Sequence, residues 1–250
     1  MDLGIEGRVA LVMGASKGIG RGIATALARE RARVAIASRS MARLEEAASE
    51  IEGEVVALAA DTGDLKRLSQ LPGEVEERLG PVEILVTNTG GPPSGGALES
   101  ELDQWRDAYE NLILAPRVLI AAVLPGMRER GWGRIVNVGS SSTREPIPGL
   151  ALSNAHRPGL LGWLNTLADE VAADGITVND VATGRFATDR LMANWGGREE
   201  MERGAVQGIP AGRLGDPDEY GDLVAFLCSE RAGYITGSSI PIDGGLRRSL

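Results

Sequence analysis

Short apolar runs recur along the chain at residues 9–13, 34–37, 55–59, 84–86, 135–138, 176–181 and 240–242. They are rich in β-branched residues and continuous rather than alternating, the pattern of strands buried on both faces. Between them, sets such as Met41, Leu44, Ala48 and Ile51, or Tyr220, Leu223, Val224 and Leu227, repeat at helical spacing with charges on the opposite side. An Ala-rich stretch over 23–32 predicts the first helix. Ser100 three residues before Asp103, and Asp216 followed by Pro217 and Glu219, mark helix starts. Strand and helix alternate to about Asp180, which implies right-handed crossovers and a doubly wound parallel sheet with helices on both faces. The fold class is α/β, one domain over residues 1–250. The region at about 185–215 has no clear strand. It carries Gly196, Gly197, Gly204, Gly208, Pro210 and Gly212 among Met192, Trp195, Met201 and Val206, and reads as a substrate lid with an apolar lining rather than a second domain.

Composition narrows the function. A chain of 250 residues, 43% apolar and 24% charged, closes one sizeable core. With 26 Lys and Arg against 35 Asp and Glu, the net charge of -9 gives no electrostatic reason to seek nucleic acid or an anionic membrane, and neither is expected as a partner. No run approaches the roughly 18 apolar residues of a membrane span, and the N-terminus lacks the basic start and apolar run of a signal peptide, so a cytoplasmic location is expected. One cysteine, Cys228, and one histidine, His156, form neither a disulfide nor a zinc set, and no metal is expected. Cys228 lies in an apolar helical stripe and reads as a small buried hydrophobe.

The first apolar run leads into Gly14-Ala15-Ser16-Lys17-Gly18-Ile19-Gly20 and then into the Ala-rich helix. In this strand–turn–helix order Gly14 permits the tight turn, Gly18 lets backbone approach a pyrophosphate, and the helix N-terminus offers free N–H groups to phosphates. Outside that order the same glycines would be a surface turn. The second run ends in Ser38-Arg39, where an NAD-binding chain usually presents a carboxylate to the ribose hydroxyls. No acid stands there. Arg39 and Lys17 offer positive charge and Ser38 a small donor, which suits a 2′-phosphate and favours NADP(H) over NAD(H).

Further segments carry a resemblance. The glycine loop, Asp61 and Thr62 after the third run, Asn88-Thr89-Gly90 after the fourth, Asn111, Asn137-Val138-Gly139-Ser140, Val178-Asn179 with Gly184 and Thr188, and the tail through Asp243-Gly244-Gly245 together resemble the short-chain dehydrogenase/reductase family over nearly the whole chain. The resemblance implies a single-domain Rossmann fold with a seven-stranded sheet, a homotetramer, a nicotinamide cofactor and hydride transfer between a carbonyl and an alcohol. It implies that Asp61 and Thr62 face the adenine, that Asn88 and Gly90 flank the dinucleotide, that Gly184 and Thr188 flank the nicotinamide, and that Ser140 binds the substrate oxygen. Asn111 is the family's helix asparagine, a water binder, or else a helix-kink residue.

In the family a tyrosine donates the proton and a lysine four residues later lowers its pKa and holds the ribose. Aligned on Ser153-Asn154-Ala155 and the residues that follow, Leu152 takes the tyrosine position and His156 the lysine position. Leucine donates no proton. His156 is then a candidate to hold the ribose or to relay a proton through Ser140 or Ser153; without the resemblance it is a packed helix histidine. Arg157 stands about 140° round the helix from Leu152 and reads as structural or interfacial. Thr183 replaces the family's proline before Gly184. Trp105, Trp132 and Trp163 read as packing residues. The function expected is an NADP(H)-dependent oxidoreductase interconverting small-molecule ketones and secondary alcohols by an altered proton route. The alternatives are a non-catalytic NADP(H)-binding sensor or scaffold, or a different reaction on the same scaffold.

Overall fold

Every one of the predicted apolar runs is a strand: β1 (Val9–Met13), β2 (Arg33–Ser38), β3 (Val55–Ala59), β4 (Ile84–Thr87), β5 (Gly133–Val138), β6 (Ile176–Thr183) and β7 (Ser239–Ile242). A computed structural model describes residues 1–189, 191, 199 and 204–248. The strands pair in parallel in one seven-stranded sheet of order β3-β2-β1-β4-β5-β6-β7. Among the described residues the α-helices between them are α1 (Gly18–Arg29), α2 (Met41–Glu50), α3 (Leu65–Leu79), α4 (Leu102–Tyr109), α5 (Ala115–Arg130), α6 (Ala151–Val171) and α7 (Pro217–Leu227). A π-turn, Glu110–Leu114, joins α4 to α5. This is the doubly wound Rossmann architecture that the alternation predicts.

The sheet has a core on each face. Ile23, Leu27, Leu44, Tyr220 and Val224 cover one side. Leu68, Leu71, Leu119, Leu160 and Leu164 cover the other. β1 and β5 are buried along their whole length, which is why their sequences carry no polar alternation. The strand order reverses between β1 and β4, and in such sheets ligands bind outside the carboxyl ends of the strands at that switch.

Two element starts differ from the sequence reading. α1 begins at Gly18, five positions before the predicted start at Ile23, and ends at Arg29. The reason is close packing: a Cβ on Gly22 would lie 2.3 Å from the Pro217 carbonyl oxygen, and one on Gly221 would lie 2.3 Å from that of Gly22. Glycines that weaken an isolated helix thus let α1 and α7 touch backbone to backbone. α4 is capped at Glu101, not Ser100, because the Gln104 side chain accepts from the Glu101 N–H at 2.9 Å. The Asp216 box is as expected, with Pro217 and Glu219 in place.

The run Leu102–Arg130 is long and apolar enough to cross a membrane, and its inner side, with Ala115, Leu119, Ile120, Val123 and Met127, packs into the core. At the stem of the predicted lid, Phe186 and Gly215 form a parallel bridge, and Arg185 Nη1 donates to the carbonyls of Ala205 at 2.7 Å and Gln207 at 3.0 Å. Met192, Trp195, Gly196, Gly197 and Met201 lie outside the described residues.

Gly221→Ala is expected to lower stability by about 1–3 kcal/mol through overpacking at the α1–α7 contact. Urea denaturation of the variant checks this, and an unchanged midpoint would mean that the two helices separate at little cost.

Candidate active site

The glycine loop sits at the switch point. Gly14 has φ +61°, and a Cβ there would lie 2.8 Å from both the Asn88 carbonyl oxygen and its side-chain nitrogen. A Cβ on Gly20 would lie 2.3 Å from the Gly14 carbonyl oxygen. Asn88 Nδ2 donates to that same oxygen at 3.4 Å, fixing the loop after β1 to the end of β4. Gly18 opens α1 at φ +56° and packs on the Thr188 methyl, which brings the lid stem to the loop. Lys17 caps α1 without a side-chain hydrogen bond, so the first-turn N–H groups have no side-chain acceptor and present the positive end of the helix dipole. Ile19 is half-buried against the core.

Beside this loop lies a polar cavity of about 300 Å³ lined by Ser16, Lys17, Arg21, Arg43 and Asp189, among others. Lys17 Nζ donates to Asp189 at 2.8 Å, and this cation holds the Asp189 carboxyl below the usual carboxylate range. Arg43 was missed in the sequence; it stands in the first turn of α2, its N–H donating to the N-cap Ser40 hydroxyl at 3.5 Å. At the end of β2 the Ser38 hydroxyl is buried with no partner, and Arg39 is exposed. A buried hydroxyl without a partner is uncommon; here it lies at the strand end where the ribose of a dinucleotide belongs. Asp61 is exposed and accepts from the Gly63 N–H, while Gly90 is open, with nothing within 4 Å of a built Cβ. Gly184 abuts Asp243, whose Cα a Cβ would approach to 2.5 Å. The glycine cradle and the orphaned Ser38 hydroxyl fit a nicotinamide dinucleotide.

α6 does not carry His156, its sequence-predicted site residue, toward Ser140. Leu152 is 1% exposed in the core, and His156 turns toward α4, its ring 5.2 Å from Trp105 and 6.4 Å from Tyr109. His156 Nδ1 donates to the Leu152 carbonyl at 2.7 Å. The ring lines a surface groove with Leu102, Trp105, Tyr109 and Leu114, so the structure does not bring His156 to Ser140. Ser153 and Arg157, four residues apart, hold the sheet-facing side instead. Ser153 Oγ is 3.2 Å from Ser142 Oγ, and Arg157 Nη1 donates to the Val138 carbonyl at 3.1 Å. Arg157 does point away from Leu152, as the 100° rotation per residue requires, and it reaches the Val138 carbonyl at the end of β5. The signal was available: Ser153 and Arg157 continue the buried stripe of Leu160, Leu164, Leu167 and Val171, which marks the inner face of α6.

Ser140 Oγ accepts from the Ser142 N–H at 3.1 Å, which leaves its own proton to be given elsewhere. Asn111 stands in the π-turn, donating to the Asp107 carbonyl at 2.8 Å and accepting from Thr62 Oγ1 at 2.5 Å. It is thus a helix-distortion residue that ties the loop after β3 to the helix, and Thr62 faces it. Trp132 lies between Arg8 and Arg134 at 4.0 and 4.4 Å, a packing role at the opposite end of the sheet. Thr183 in place of proline has a structural partner: its hydroxyl meets the buried Tyr220 hydroxyl at 3.0 Å. Cys228 is fully buried, and burial pushes its thiol up to about 12.

A family profile described as "Enoyl-(Acyl carrier protein) reductase" matches residues 14–247. The chain belongs to the short-chain dehydrogenase/reductase family. It is 35% identical over 246 residues to the nodulation protein G of Azospirillum brasilense, covering 96% of this chain and 98% of that protein. It is 34% identical to the 3-oxoacyl-[acyl-carrier-protein] reductase FabG of Vibrio cholerae, covering 98% and 99%. Among solved structures, L-sorbose reductase from Gluconobacter frateurii, complexed with NADPH and L-sorbose, superposes over the whole of both chains with a TM-score of 0.93 at 31% identity. As a member of this family the chain is an oxidoreductase of the dehydrogenase/reductase type.

Because His156 turns from the site, His156→Ala is expected to leave dinucleotide affinity within about twofold, well under the roughly 1.4 kcal/mol of a tenfold change. Fluorescence titration measures it, and a loss of tenfold or more would return His156 to the cofactor site.

Proposed function

We propose that this protein is an NADP(H)-dependent reductase of small-molecule carbonyls, able to run as a secondary-alcohol dehydrogenase. The observations that carry the reading are the glycine cradle at the sheet's switch point and the contacts that gather Ser140, Ser142, Ser153 and Arg157 just past the carboxyl end of β5. Lys17, Arg39, Arg43 and the orphaned Ser38 hydroxyl favour a 2′-phosphate, and the similar L-sorbose reductase is complexed with NADPH. When bound, the nicotinamide supplies or accepts hydride.

The chain's own groups must handle the oxygen and its proton. Ser140, already an acceptor from Ser142 N–H, has its O–H free to donate to the substrate oxygen. No phenol or histidine stands on the sheet-facing side of α6, so the proton passes between water and the oxygen through the serine hydroxyls. Ser153 Oγ lies beside Ser142 Oγ, and the Ser142 backbone N–H is the donor to Ser140.

The exposed Leu102 and Tyr109 beside the Trp105–His156 groove form an apolar face, and we propose that a second copy covers it within a homotetramer. Light scattering of Tyr109→Glu is expected to show smaller assemblies; an unchanged mass would place the interface elsewhere.

Over a panel of ketones and sugars, NADPH absorbance is expected to fall in step with substrate consumption. Lys17→Ala and Arg39→Ala are each expected to weaken NADPH binding by roughly tenfold, about 1.4 kcal/mol, with little effect on NADH. Wild-type protein that binds NADPH but consumes none across the panel would favour the non-catalytic binding reading. Equal affinity for NADPH and NADH would contradict the 2′-phosphate site.

A further inference from the structure

A row of polar side chains crosses four adjacent strands beneath α6. Thr87 on β4, Asn137 on β5, Asp180 on β6 and Ser239 on β7 stand opposite one another in register. Thr87 Oγ1 donates to Asn137 Oδ1 at 2.9 Å, Asn137 Nδ2 donates to Asp180 Oδ1 at 2.7 Å, and Ser239 Oγ donates to Asp180 Oδ2 at 2.8 Å. On the same face, two residues earlier in β4, β5 and β6, stand Leu85, Ile135 and Val178, all in the core. The row therefore marks the place where that core face changes from apolar to polar, at the carboxyl ends of the strands.

Its centre is a carboxylate only 1% exposed. The seat is shaped for it: a Cβ on Gly139 would lie 2.2 Å from Asp180 Oδ1, so only glycine leaves the space. With both carboxylate oxygens accepting from neutral donors, the geometry suits the ionised form. Burial raises the carboxyl's pKa, and the two hydrogen bonds and the charge of Arg157 offset only part of that rise. A buried charge of this kind is seldom kept for stability, since apolar residues of similar volume often serve as well or better. A role at the site is the better account.

The cation beside it is Arg157, whose Nη1 is fixed on the Val138 carbonyl just before Gly139 and Ser140. We propose that Arg157 is the permanent positive charge of the site and that Asp180 is the residue that positions it, so that the substrate oxygen is held by a guanidinium that never titrates. This rests on the reductase reading above and deepens it. Arg157 keeps its proton throughout; it stabilises negative charge developing on an oxygen held by Ser140, and it makes or breaks no bond. A delocalised guanidinium fixed on a backbone carbonyl also orients the oxygen more strictly than a mobile ammonium would.

The test compares wild type with Arg157→Gln, Arg157→Lys and Asp180→Asn, by steady-state reduction, NADPH binding, thermal unfolding and the arginine side-chain Nε–H NMR spectrum. Arg157→Gln is expected to lower kcat by about 10²–10³-fold with KM changed much less, and Arg157→Lys to recover part of the loss. The Nε–H signal missing from Arg157→Lys identifies Arg157, and Asp180→Asn is expected to shift or broaden it, with kcat reduced and the melting temperature unchanged or raised. Should Arg157→Gln fail to fold, the lysine and asparagine variants carry the same comparison.

A folded Arg157→Gln as fast as wild type overturns the proposal, and so does an Asp180→Asn protein whose kcat and Arg157 signal match wild type while NADPH is still bound and consumed. Wild-type protein that neither binds nor consumes NADPH overturns the reductase reading together with this one. Where NADPH binds and no substrate turns over, the Arg157 signal in Asp180→Asn decides.

Discussion

A carboxylate buried in the middle of a parallel sheet constrains everything built around it. Asp180 can be accommodated only because Gly139 lacks a side chain, Asn137 and Ser239 each donate to one of its oxygens, and Arg157 lies near enough for its charge to act on the carboxyl. Removing any one of these would leave a buried charge partly uncompensated, at a cost of several kcal/mol. The same set joins the strand that leads to Ser140 to the helix that carries Ser153, so the electrostatic requirement of one residue aligns the elements of the site.

The dinucleotide half of the site obeys a different constraint, that of close approach. Gly14 and Gly20 bring backbone into contact with backbone and with Asn88. Gly22 and Gly221 do the same one layer further out, setting the axis of α1 and with it the direction in which its free N–H groups point. Lys17 then spans from this loop to Asp189 in the lid stem.

The strands, their parallel order and the cofactor loop were legible because buried parallel strands and glycine turns write themselves into local sequence. The orientation of α6 was not legible in the resemblance alone: a shift of one residue rotates a side chain by about 100° round a helix, and the structure turns His156 to the α4 groove while Arg157 reaches the Val138 carbonyl. The polar row was invisible for another reason. Asp180 lies inside a run read as a buried strand, and its partners Asn137 and Ser239 are 43 and 59 residues away, brought together only by strand register. The helix start at Gly18 was missed because glycine disfavours helices unless tertiary packing demands it.

Crystallography of the protein with NADP⁺ and an alcohol bound would test most directly whether the two halves act as one site. The phosphates should lie at the first turn of α1 with the 2′-phosphate among Lys17, Arg39 and Arg43, and the alcohol oxygen should lie between Ser140 and the Arg157 guanidinium. An alcohol oxygen held away from both, or an Arg157 side chain turned from Asp180 toward solvent, would contradict an electrostatic role for this pair.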